Sequence, residues 1–68
     1  MRYAIVIEKA VGNYSAYVPD LPGCVAAGRS RREVEKLIRE AIRLHLEGLR
    51  QDGHSVPKPS SICEYVEA

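Results

Sequence analysis

With 68 residues and a net charge of +1, from 10 basic and 9 acidic side chains, the chain makes one domain at most and lacks the strongly basic balance of a dedicated nucleic-acid-binding module. It contains no Phe or Trp, which removes the usual platforms for stacking on single-stranded bases, and its four tyrosines are scattered. In so short a chain the gain from apolar burial and the loss of conformational entropy nearly cancel, so a disulfide, a metal or self-association is needed to tip the balance.

Arg2 to Glu8 is rich in β-branched and aromatic residues and reads as a first strand. Gly12-Asn13 signals a turn, and residues 13–18 alternate as a second strand, so the two runs make an antiparallel hairpin. Pro19-Asp20-Leu21-Pro22-Gly23 follows. Its prolines lack the N–H that a sheet ladder requires, so it is a rigid loop. Cys24 to Gly28 is a third short strand.

Ser30 and Glu33 have the spacing of a capping box, which predicts a helix from Arg31 to about Asp52, with Gly53 as its left-handed stop. Glu35–Arg39 and Lys36–Glu40 are spaced to pair along its surface, and Gly48 is an internal weak point or a place of close approach. At helical spacing its apolar residues cover an arc of about 200°, more than one sheet can bury. One flank is therefore expected to pack on the sheet, and the face carrying Ile42, His45, Leu46 and Leu49 to meet a second copy of the chain. Pro57 and Pro59 keep residues 53–60 extended, and Ile62 to Val66 read as a last strand. A right-handed crossover would lay that strand parallel to the first. The expected architecture is thus α+β, in the order β-β-β-α-β. A four-stranded mixed sheet carries one long helix on one face, with residues 1–68 forming a single domain.

Little chemistry accompanies this pattern. Cys24 and Cys63, with His45 and His54, match no metal-ligand spacing, so no metal or other cofactor is expected. Met1 leads straight into an apolar run too short for a leader or a membrane span, which points to the cytoplasm and reduced thiols. Both cysteines read as small buried apolar residues, and His45 as a core or interface residue with no nucleophile to serve. Arg29, Arg31 and Arg32 form a small basic patch at the helix start, against the helix dipole. They are either solvated surface or a local anion contact.

The run Tyr17-Val18-Pro19-Asp20-Leu21-Pro22-Gly23-Cys24 is similar to the PDLPGC loop of the HicB family of antitoxins. The likeness continues through Gly28, the capping Ser30 and Glu33, the helix with Leu44-His45-Leu46, then Gly53 and Val56-Pro57-Lys58-Pro59, and so covers nearly the whole chain. This resemblance implies a partial ribonuclease-H-like fold, a homodimer that can assemble into a tetramer, and a HicA-type, messenger-RNA-cleaving toxin as the partner that the chain binds and occludes. The loop Pro19–Gly23 is the expected partner-binding element. Many members carry a further DNA-binding domain. This chain stops just past the last predicted strand, so direct binding to nucleic acid by this chain alone is not expected. A ribonuclease-H-like sheet raises the question of nuclease activity, but two-metal hydrolysis needs converging carboxylates, and Glu8, Glu64 and Glu67 do not make such a set, so no enzymatic activity is expected. The alternatives are an oligomeric regulatory module without a toxin partner, or a weak nucleic-acid-binding protein.

Overall fold

The computed structural model describes all of residues 1–68. Strands β1 (Val6–Ala10) and β2 (Asn13–Tyr17) form the hairpin, with Val6 opposite Tyr17 and Ala10 opposite Asn13. β3 (Val25–Gly28) pairs antiparallel with the other edge of β2, so the sheet order is β1-β2-β3. The ladder on β1 opens only at Val6, later than the sequence pattern implies. Beyond Tyr17 the second strand has no partner to give: the Val18 N–H donates to the Cys24 carbonyl at 3.2 Å, and Pro19 has no N–H.

Helix α1 runs from Arg31 to Gln51. The Ser30 hydroxyl accepts the Glu33 N–H at 3.1 Å. The Glu33 carboxylate reaches one residue further back than an ideal capping box and accepts the Arg29 N–H at 2.8 Å. At the other end Asp52 is the C-cap and Gly53 has φ of 73°. The Gly53 N–H donates to the Arg50 carbonyl and the His54 N–H to the Leu49 carbonyl, the paired bonds of a Schellman motif. The surface pairs differ from those expected: Arg31 meets Glu35 at 3.3 Å, and Arg43 bridges Glu40 and Glu47.

One face of the sheet is covered by the helix. Ala16 and Val18, Leu21 and Cys24 from the loop, and Val34 and Ile38 from the helix make the buried core, with Tyr3, Ile5, Ile7, Tyr14, Ala26, Ala41, Ile42 and Leu46 packed around it. Gly28 is where β3 and the helix start come closest. A Cβ there would lie 2.9 Å from a Glu33 carboxylate oxygen and 3.1 Å from the Val34 nitrogen, which only glycine avoids. The helix sits over β2 and β3 rather than over β1.

The expected fourth strand does not form. The sheet has three strands and is wholly antiparallel, so the chain is β-β-β-α rather than β-β-β-α-β with a mixed sheet. Residues 61–65 do run beside Arg2–Ile7, the approach to β1 and its first two residues, in the same direction. Ser61 to Cys63 line a groove with Arg2 to Ala4, and Ile62 to Tyr65 line another with Ile5 to Ile7. No main-chain ladder joins them, and no main-chain pair extends beyond His54. Pro57 and Pro59 have no N–H to offer, and those of Ser60 and Ser61 are taken by the Asp20 carboxylate. Residues 57–61 therefore have few N–H groups left for a ladder with the first strand. Cys63 is exposed, with its sulfur 4.0 Å from the Ile5 carbonyl oxygen, instead of being buried as its strand pattern implied.

Candidate partner-binding surface

The Pro19–Gly23 loop is braced from within. The Leu21 N–H donates to the Val18 carbonyl at 3.0 Å, and the Cys24 N–H to the Leu21 carbonyl at 3.1 Å. These two tight turns drive the Leu21 side chain into the core, where it is 0% exposed, and leave Pro19, Pro22 and Gly23 facing outward. The loop thus divides its five residues between anchoring and display.

Asp20 does neither alone. Its two carboxylate oxygens accept four hydrogen bonds from the connector: the Ser60 N–H at 2.9 Å, the Ser60 hydroxyl at 3.0 Å, the Ser61 N–H at 3.0 Å and the Ser61 hydroxyl at 2.8 Å. Two main-chain donors aimed at one carboxylate stabilise its charged form, and they hold the Asp20 carboxyl at about 2. Sequence spacing could not reveal this arrangement, because the partners lie 40 and 41 residues away and are plain serines.

Strand alternation sets a second feature, which sequence reasoning passed over. Ala16 and Val18 face the helix, so Tyr17 between them faces the opposite side of the sheet. The register places Val6 and Val25 directly beside it, one on each neighbouring strand. Tyr17 is 42% and Val25 64% exposed, so an apolar row crosses the open face next to the outward-facing prolines of the loop. The alternation of residues 13–18 was the available signal.

On the helix, Ile42, His45, Leu46 and Leu49 are half-buried; Ile42 and Leu46 lean on the core. The most exposed large apolar residues of α1 are Leu37 and Leu44, on the other flank. Arg29, Arg31 and Arg32 are all exposed at the helix start, where Arg31 is paired with Glu35. Burial raises the Cys24 thiol above its usual range, which opposes thiolate chemistry. No three His, Cys, Asp or Glu side chains gather in a way that could hold a metal ion, and no helix is long and apolar enough to cross a membrane.

These features, a three-stranded antiparallel sheet under one capped helix with a braced Pro-Asp-Leu-Pro-Gly loop, describe a small α+β domain. Residues 3–68 match the HicB_like antitoxin of bacterial toxin-antitoxin system family, and the chain belongs to that family. It is 49% identical over 63 residues to a UPF0150 protein of Helicobacter pylori, covering 91% of this chain and 88% of that one. It is 36% identical over 62 residues to a UPF0150 protein of Thermoplasma acidophilum, covering 90% of each. It is also 41% identical over 66 residues to an uncharacterized 14.9 kDa protein of Haemophilus phage HP1; there the match takes in 97% of this chain but only 50% of the longer phage protein. Among solved structures it resembles a chain of a HicA3 and HicB3 toxin-antitoxin complex, with a TM-score of 0.74 and 35% identity over 87% of this chain and 70% of that one.

Proposed function

We propose that the chain is an antitoxin that binds a HicA-like, RNA-cleaving toxin in the cytoplasm and blocks it by steric occlusion, without enzymatic activity of its own. The observation that carries this reading is the 35% identical fold match to a chain of a HicA3 and HicB3 complex. The exposed parts of the loop, Pro19, Pro22 and Gly23, form the contact together with the Val6–Tyr17–Val25 row. Leu21 and Asp20 support it from behind. A rigid apolar surface of this kind loses little entropy on docking, which favours tight binding from a small area.

The chain self-associates through the helix face of Ile42, His45, Leu46 and Leu49, whose half-buried side chains a second copy would finish covering. A homodimer is the basic unit, and a tetramer can form by repetition. Arg29, Arg31 and Arg32 serve as a local anion contact within that assembly, not as a stand-alone nucleic-acid site.

The test is binding of a HicA-like toxin, with the protein encoded next door as the first candidate, to the wild type and to a Tyr17→Ala, Val25→Ala double variant. Loss of two side chains at the centre of an interface lowers affinity by at least about tenfold, while circular dichroism stays unchanged. Equal affinity for both proteins would move the interface elsewhere, and absence of binding by the wild type would remove the proposal.

A further inference from the structure

β1 lies at the edge of the sheet, with a partner only on its β2 side. An open strand edge is a template for pairing with another chain unless something shields it. The sequence before and along this edge, Tyr3-Ala4-Ile5-Val6-Ile7, has the composition that pairs most readily. Yet the space beside it is taken by residues 61–65, which offer no ladder bonds. They stay there although Ile62, Tyr65 and Val66 are almost fully exposed and contribute little burial.

Few contacts hold this segment. The Tyr3 hydroxyl donates to the Pro57 carbonyl, upstream of it, and the Cys63 thiol lies near the Ile5 carbonyl, a weak contact at most. The remaining four hydrogen bonds converge on the Asp20 carboxylate from Ser60 and Ser61, at the point where the segment turns along the edge. We infer that Asp20, Ser60 and Ser61 form a latch that holds residues 61–65 as a strap over the edge formed by Arg2–Ile7, the approach to β1 and its first two residues, and that the strap prevents this edge from pairing with the same edge of a second copy.

The latch is charge-assisted and bidentate in both serines, so it fixes the direction of the chain as well as its position. With the carboxylate removed, the weak Cys63 contact is the one hydrogen bond left between residues 60–66 and the domain, and the main-chain groups on the outer edge of Arg2–Ile7 are open to water or to another chain. This edge is distinct from the helix face and from the Tyr17 row, because it is the rim of the sheet rather than either of its surfaces.

The experiment compares the full chain with Asp20→Ala and with a Ser60→Ala, Ser61→Ala double variant, using amide hydrogen exchange and light scattering over a range of concentrations. The double variant leaves the loop sequence intact and removes two of the four bonds. In the wild type the Ser60 and Ser61 amides exchange at least about tenfold more slowly than the Glu67 amide, as donors in charge-assisted bonds should. In Asp20→Ala that protection disappears while the Val34 and Ile38 amides keep theirs, and the mass rises with concentration beyond that of the wild type. The double variant shows the same trends to a smaller extent. Unprotected Ser60 and Ser61 amides in the wild type would overturn the latch. Loss of their protection with no change in mass in either variant would overturn the shielding role.

Discussion

At the scale of single residues, Asp20 shows how one side chain can connect distant parts of a small chain. Its four hydrogen bonds are made to the ionised carboxylate, and they lower its titration from 3.8 to about 2. The stabilisation they give is fully present above the unfolded value of 3.8 and is lost as the pH falls through about 2. A carboxyl carbon titration by NMR should therefore place Asp20 at about 2, and the Ser60→Ala, Ser61→Ala variant should raise it only part of the way to 3.8, because the two main-chain donors, which contribute most, remain. An Asp20 midpoint near 3.8 in the wild type would show the bonds to be absent in solution. Gly28 gives the second residue-scale prediction. Because a methyl group there presses on the Val34 main chain and on the Glu33 side chain, Gly28→Ala should destabilise the fold by about 1–3 kcal/mol in urea unfolding, the range for an overpacked site.

At the scale of elements, the helix was legible in the sequence almost to the residue, because its boundaries are set locally. Ser30 and Glu33 start it and Gly53 ends it, each acting within a turn of its own position. Ser30→Ala should therefore cost about 1 kcal/mol of stability, a typical value for a lost N-cap. The loop was legible as rigid, but not in its division of labour. Nothing in Pro-Asp-Leu-Pro-Gly by itself shows that Leu21 is a core residue and Asp20 an anchor for the connector. Leu21→Ala should destabilise the domain by about 2–5 kcal/mol, as for a fully buried leucine, and calorimetric or denaturant unfolding can read this directly. The last strand was misread for a related reason. Ile62 to Val66 has a strand-like composition, but a strand needs ladder bonds to a neighbour, and none joins this segment to β1; the Ser60 and Ser61 N–H groups before it are spent on Asp20 instead. Local pattern records propensity; the neighbour that realises it is a tertiary matter.

At the scale of the whole molecule, the domain has a small core and much exposed apolar surface. Six residues are buried, whereas Tyr17 and Val25 on the sheet and Leu37 and Leu44 on the helix all remain accessible. So small a core leaves little margin, and protein partners would add to it by mass action. The resemblance carried by the loop, the capped helix and the connector anticipated the family to which the chain belongs. It could not anticipate which surfaces lie open, since the Val6–Tyr17–Val25 row exists only once the hairpin register brings the three strands side by side. That row, rather than the loop alone, gives the proposed toxin contact its breadth.

The most direct test of the antitoxin reading is a titration of this chain into an RNA-cleavage reaction driven by a HicA-like toxin, with the protein encoded next door as the first candidate. Cleavage should fall in proportion to added chain and stop near stoichiometric equivalence, with the two proteins migrating together on gel filtration. Undiminished cleavage in the presence of a large excess of folded chain would contradict it.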